Sequence, residues 1–307
     1  MHVESMSRAG RWWYALKPAS WPKVFVPALF GQAVGVATAG HLSLGALAFG
    51  VLWMVADVSF IVLLNDWGDR EVDALKRRMF PQGCSPKTIP DGILPARALL
   101  LAGLGAGAGA LVLAGAAGAV LARPLLLPLA ALSLFIFAAY SLPPLRLNYR
   151  GGGELLEMVG VGGVLPALHA YAQCGQWAPQ TLRTWAPGLL ALCLASALAS
   201  GLSDEESDRA GGKRTFTTLL GNAAVRRASD ALLSMGFALW IMREPWGILA
   251  GLPVLFFGVR AWRKSPEAVT NAFAAQGAYK LELHRAIWWG TLVLSALVLM
   301  DGWGGAR

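Results

Sequence analysis

Eight of the chain's 18 acidic residues fall in two short stretches, Asn65-Asp66-Trp67-Gly68-Asp69-Arg70-Glu71-Val72-Asp73 and Asp204-Glu205-Glu206-Ser207-Asp208. Both begin where an apolar run ends. On a helix, at about 100° per residue, Asp69 lies roughly 60° from Asp66 and Asp73 roughly 20° from it. Three carboxylates therefore share one face, with Asn65 at its edge. Asp204 and Asp208 are four residues apart and share a face in the same way. Carboxylates stacked like this repel one another unless a cation lies among them. Mg²⁺ is held by one or two carboxylates together with substrate phosphate oxygens. Two facing acidic helices thus suit a Mg²⁺-bridged diphosphate, with Asn65, Asp66, Asp69, Asp73, Asp204 and Asp208 as the candidate ligands. A basic tract follows each stretch: Lys76, Arg77, Arg78 and Lys87 after the first, Arg209, Lys213 and Arg214 after the second. Bases of this kind hold phosphate oxygens. A solvated helix end explains one such cluster, but explains two with matching basic tracts poorly.

The elements that must position these residues are apolar. Of 307 residues, 56% are hydrophobic and 14% charged, against about 25% charged in a soluble domain. Apolar runs fall near 24–39, 42–64, 98–122, 124–142, 155–172, 186–203, 228–242, 246–259 and 285–300. They predict an all-α membrane protein of about nine spans around a central cavity, in a single domain over residues 1–307. The glycines of the third run read as close helix–helix packing rather than a phosphate loop. All but four of the 26 Lys and Arg residues lie in the N-terminal segment 1–23 or in alternate loops; the four are Arg123, Arg183, Arg243 and Arg307. That bias predicts a cytoplasmic N-terminus and cytoplasmic acidic segments, as in a cell inner membrane. The net charge of +8 is read as membrane orientation, with no nucleic-acid partner. Segment 1–23 has no apolar h-region, so no cleavable signal peptide is expected. Cys84, Cys174 and Cys193 form no CxxC pair and read as unpaired thiols.

With these residues in view, the chain resembles the UbiA superfamily of intramembrane prenyltransferases. Asn65, Asp66, Asp69 and Asp73 match that family's NDxxDxxxD motif. Lys87-Thr88-Ile89-Pro90-Asp91-Gly92 resembles its R-P-I-P-S-G element, and Tyr140-Ser141-Leu142-Pro143-Pro144-Leu145-Arg146 its Y-S-x-P-P-x-R element. Gly153-Glu154 follows where the family has Gly-Glu. Asp208-Arg209-Ala210-Gly211-Gly212-Lys213-Arg214-Thr215 resembles D-R-x-x-G-K-R-T. One departure stands out: many members carry an aspartate at the position of Gly201. Glu205 is a candidate to compensate. The stretch from Leu165 to Gly175 resembles the dihydroxynaphthoate-prenylating branch.

The resemblance implies Mg²⁺-dependent transfer of a prenyl group from an isoprenoid diphosphate to an aromatic, quinone-precursor-like acceptor. Asp66, Asp69, Asp73, Asp204 and Asp208 would hold metal. Lys87, Arg78, Arg146, Lys213 and Arg214 are candidates to neutralise diphosphate oxygens, and Tyr140 to face the allylic cation. Glu154 is a further candidate for substrate contact. Asp57, about 180° around its helix from Asp66, reads more readily as a partner for a neighbouring helix than as a substrate contact. His169 reads as a packed histidine rather than an acceptor base. Two other readings use the same residues. One is a terpene cyclase of this type, which ionises the donor without an acceptor; the other is a nonenzymatic cation-binding membrane protein.

Overall fold

The computed structural model describes residues 6–264 and 273–304. Arg307 and the first five residues of the N-terminal segment lie outside the described residues. Among those described, the elements are helices and turns, with no strand. Helix α1, Arg8–Leu16, is capped by Ser7, whose Oγ accepts from Gly10 N–H at 3.1 Å. It ends at Lys17 in the left-handed region, φ 47°. Helix α2, Pro22–Ala39, opens on a proline, where the missing N–H costs nothing, and closes on Gly40 with φ 73°. Helix α3, Leu44–Gly68, leads directly into α4, Arg70–Met79. Helices α5, Ala96–Val120, and α6, Leu126–Ser141, follow. Helix α7, Gly153–Val159, passes through a π turn, Gly160–Val164, into α8, Leu165–Cys174. Helix α9, Gln180–Ser200, turns at Gly201–Ser203 into the short α10, Glu205–Ala210, and α11, Phe216–Leu220. The last three are α12, Asn222–Arg243, α13, Gly247–Lys264, and α14, Phe273–Gly304.

Among the described residues, five helical stretches are long and apolar enough to cross a membrane: 44–68, 96–120, 153–174, 180–203 and 275–302. These carry five of the nine apolar runs. The other four fall on α2, α6, α12 and α13, which are shorter or more polar. Large apolar side chains such as Leu44, Leu101, Val112, Phe135 and Phe256 point outward. Apolar surface of that kind marks contact with a membrane or a partner, and the five apolar stretches decide for the membrane. The protein is an integral membrane protein.

Two packed groups share the interior. One joins α3, α5, α6 and α8 around Trp53, Phe60, Leu64 and Leu168; the other joins α9, α12, α13 and α14 around Trp185, Trp240 and Leu294. Helix α2 contributes to both. It lies on α8 at backbone distance, because a Cβ at Gly31 would stand 2.3 Å from the Pro166 carbonyl oxygen. The glycine-rich α5 packs on α3 as its composition predicts, but through part of its glycines. A Cβ at Gly103 or Gly107 would meet Leu64 or Phe60 at 2.7 Å, whereas Gly105, Gly109 and Gly115 face open space.

Candidate active site

Between the two groups lies a cavity of about 350 Å³, lined by side chains of α2, α3, α4, α6, α7, α9 and α10 and of the connections between them. One end is acidic and basic, the other apolar. The acidic end forms where α3 stops. Hydrogen bonding carries past the stop, since Asp69 N–H donates to Asn65 O and Asp73 N–H to Asp69 O, both at 2.8 Å. Asp69 itself leaves helical geometry at φ −95°, ψ 5°. The single acidic helix expected from the spacing is thus two helices meeting at Asp69. Gly68 permits the junction: a Cβ there would stand 2.9 Å from the Ser141 carbonyl oxygen. Arg146 donates to Gly68 O at 2.5 Å and closes that corner.

Asn65, Asp66, Asp69, Asp73, Lys87, Tyr140, Glu154, Asp204, Asp208 and Lys213 all line this one cavity. Each aspartate meets a lysine, and for all but Asp208 it comes from a different segment. Asp66 pairs with Lys17 and accepts from Thr88 Oγ1 at 2.5 Å. Asp73 pairs with Lys87. Asp204 pairs with Lys76, whose Nζ also donates to Ser203 O at 2.7 Å. Lys213 Nζ joins the two acidic segments, 3.0 Å from Asp69 Oδ2 and 3.9 Å from Asp208 Oδ1. Asn148 adds a hydrogen bond to Asp69 Oδ1 at 3.3 Å.

Burial and these partners oppose each other, and the outcome differs by site. Burial pushes Asp69 up, but the charge and hydrogen bond of Lys213 outweigh it and hold the carboxyl below its ordinary range. At Asp73 burial wins over Lys87, and the carboxyl lies above the ordinary range; Asp208 is raised for the same reason. Desolvation would lower Lys213, but Asp69 and Asp208 raise it well above an ordinary lysine.

Three of the basic candidates do not line the cavity. Arg78 is exposed on the outer face of α4. Arg214 is exposed too, and meets the site region through its backbone N–H, which donates to Tyr149 O at 3.2 Å. Arg146 lies over the Tyr149 ring at 3.7 Å, behind the first acidic segment. Charge alone fails here because helical phase turns Arg78 away from Asp73 and Lys76. Glu205 does not compensate for Gly201. It is buried against α12, accepting from Asn222 N–H at 3.1 Å and from Arg209 at 2.9 Å. Gly201 does line the cavity, and a Cβ there would stand 3.0 Å from Thr217 Oγ1. The Leu165–Gly175 stretch is mostly structural. His169 Nδ1 lies 2.9 Å from Gln32 Nε2, and Gln173 bonds Gln32 and the Ser43 cap. None of the three lines the cavity.

Asp57 does line it. It and Asp66 stand at the two edges of an arc about 180° wide, and the cavity wraps that whole arc through Val58, Ile61, Val62 and Asn65. Lys76, read from the sequence as part of a phosphate-holding basic tract, pairs with Asp204. Lys17, Thr88 and Asn148 are site residues that motif reasoning assigned no site role. Their only sequence signal is position: each lies close to a motif or to the end of an apolar run.

Residues 24–274 match the family described as the UbiA prenyltransferase family. The chain belongs to this family. It is 30% identical over 223 residues to the chloroplastic chlorophyll synthase of Oryza sativa subsp. japonica, a match that covers 67% of the chain and 54% of that protein's length. The chain thus spans about half of that relative's length. Its fold is that of a UbiA homolog from Archaeoglobus fulgidus bound to DMAPP and Mg²⁺: TM-score 0.64, 16% identity, covering 94% of this chain and 99% of that one. A UbiA homolog from Aeropyrum pernix K1 in its apo form matches at TM-score 0.64 and 18% identity, over 89% and 97% of the two chains.

Proposed function

We propose that the protein is a Mg²⁺-dependent prenyltransferase that moves an isoprenoid group from its diphosphate to an aromatic, quinone-precursor-like acceptor inside the membrane. One observation carries the reading. Five aspartates from segments some 130 residues apart line the polar end of one cavity whose other end is apolar. The A. fulgidus homolog with DMAPP and Mg²⁺ and the chlorophyll synthase match support it. The acidic end is read as facing the cytoplasm of an inner membrane, following the charge bias.

The donor set suits Mg²⁺. Among the described residues no His or Cys lines the cavity; the lining ligands are carboxylate and amide oxygens, which Mg²⁺ prefers. Among the described residues no three Asp, Glu, His or Cys side chains stand close enough to hold an ion by themselves. One or two carboxylates per ion, completed by diphosphate oxygens and water, fits that spacing. One or two of Asp66, Asp69 and Asp73, with Asn65 beside them, would serve one ion, and Asp204 and Asp208 a second. When bound, Mg²⁺ supplies charge that offsets the leaving diphosphate.

The chain's own residues do the rest. Lys87 and Lys213 donate to diphosphate oxygens whose charge grows as the C1–O bond breaks, so they favour the transition state over the ground state. The bonding pair leaves with the diphosphate. Tyr140 and Phe137, stacked with centroids 5.8 Å apart, present π faces to the allylic cation. A ring carbon of the acceptor then bonds C1, and the ring loses a proton. Glu154 accepts from Phe216 N–H at 2.9 Å and ties the cavity wall to the segment that carries Lys213.

Mass spectrometry of products, after incubation with mixed prenyl diphosphates, Mg²⁺ and a panel of quinone precursors, tests the proposal. The expected product is acceptor plus prenyl group less one hydrogen. No consumption of any donor contradicts it, and a cyclic hydrocarbon made without acceptor assigns the site to terpene cyclisation instead.

A further inference from the structure

The apolar end of the cavity holds one acid with nothing to bind. Asp57 is 2% exposed. Its Oδ1 is buried without a partner, and no described residue makes a hydrogen bond or ion pair to the carboxyl. Val58, Ile61, Val62, Ser133, Ile136 and Leu165 line the same cavity. This differs from Asp66, Asp69, Asp73, Asp204 and Asp208, each of which meets a lysine. An unpaired carboxyl at membrane depth is costly and marks a place where function outweighs stability. Something that enters the cavity must satisfy it.

A prenyl tail cannot, because it carries no hydrogen-bond donor. A second substrate bearing an O–H or N–H can. Nine residues of helix place Asp57 about 14 Å along the axis from Asp66. That span has room for the diphosphate, C1 and an acceptor of one or two rings in line, with the attacking carbon about 3–3.5 Å from C1. We propose that Asp57 is the acceptor-orienting residue: it accepts a hydrogen bond from a hydroxyl or N–H on the far side of the acceptor ring and turns the alkylated carbon toward C1. The inference rests on the prenyl-transfer reading, and it narrows the acceptor class to rings that carry such a donor.

The test is equilibrium binding to the full chain in lipid nanodiscs. Labelled 1-naphthol is compared with 1-methoxynaphthalene, which has the same rings and no O–H. Both are measured with and without Mn²⁺ and geranyl thiolodiphosphate, a donor analogue that does not ionise. Wild type is expected to bind the naphthol about three- to tenfold more tightly than the ether, the scale of one hydrogen bond between neutral groups. In Asp57→Leu the ratio is expected to fall to about one, with affinity for the donor analogue held within about twofold. If Asp57→Leu does not fold, Asp57→Ala removes the acceptor with less bulk, and the ratio is again expected to fall to about one. A wild-type ratio near one, no naphthol binding, or a ratio that survives Asp57→Leu overturns the inference. So does a loss of donor-analogue affinity in Asp57→Leu, which assigns that end of the cavity to the prenyl tail. Failure of wild type to bind the donor analogue overturns the prenyl-transfer reading itself, and the acceptor role with it.

Discussion

Replacing Lys213 with methionine should destabilise the protein and, at the same time, make it bind divalent cations more tightly. Lys213 is the one side chain that faces an aspartate from each acidic segment, at 3.0 Å from Asp69 and 3.9 Å from Asp208. At an effective dielectric of about 20, these separations correspond to gross attractions of about 5.5 and 4 kcal/mol. Much of that is offset by the cost of burying the ammonium, and breaking a buried pair nets about 3–5 kcal/mol. Asn148 still bonds Asp69, so the low end, about 3 kcal/mol, is the expected loss. The assay is thermal unfolding in detergent with and without Mn²⁺. The variant is expected to melt about 5–10 °C lower without metal. Mn²⁺ should recover most of the difference, because the vacated charge lies between two carboxylates that can share a cation. Unchanged melting, or a loss that Mn²⁺ fails to reduce, refutes the idea that Lys213 and metal answer to the same carboxylates.

Three further outcomes follow from named contacts. Gly201→Asp alone should not strengthen Mn²⁺ binding, since the new Cβ meets Thr217 Oγ1 at 3.0 Å; Gly201→Asp with Thr217→Ala should strengthen it, measured by Mn²⁺ titration, and equal affinities in the two variants contradict the steric account. Asp73 and Asp208 are raised above the ordinary carboxylate range, so they take up protons at higher pH than free acids of pKa about 4. Metal needs the ionised form, so Mn²⁺ affinity should begin to fall at a higher pH than Mn²⁺ binding to a free carboxylate does; a profile that falls no earlier than the free carboxylate's rules this out. Gly31→Ala drives a Cβ to 2.3 Å from the Pro166 carbonyl oxygen, a backbone atom with no rotamer to escape into. It should cost about 3 kcal/mol or more, read as a lower melting temperature, and an unaltered melt would mean that α2 does not lie so close to α8.

Much of this architecture was legible in the chain because its signals are local. Apolar runs give membrane helices, and the acidic stretches lie at the ends of two of them. The spacing of Asp66, Asp69 and Asp73 gives a shared direction, which survives even though the helix breaks at Asp69. What local reading could not give depends on contacts made at long range. Lys17, Lys76 and Asn148 meet their aspartates across roughly 50 to 130 residues, and nothing in their own neighbourhoods names the aspartate that each one meets. Asp57 was placed on the far side of its helix from Asp66; the angle was right, but a cavity that wraps half the helix takes in both. Glu205 shows the converse error. It lies beside Asp204 in sequence, yet its phase on α10 turns it into the packing against α12 rather than toward the cavity.

The central claim is that the carboxylates and lysines at the polar end of the cavity ionise a prenyl diphosphate with the help of metal. Release of diphosphate from labelled geranyl diphosphate, in nanodiscs with Mg²⁺ and a panel of hydroxylated aromatic acceptors, measures that step directly. The account predicts release by wild type, and a fall of at least about 100-fold with EDTA or in Asp69→Asn. Release that continues unchanged under either condition would contradict it.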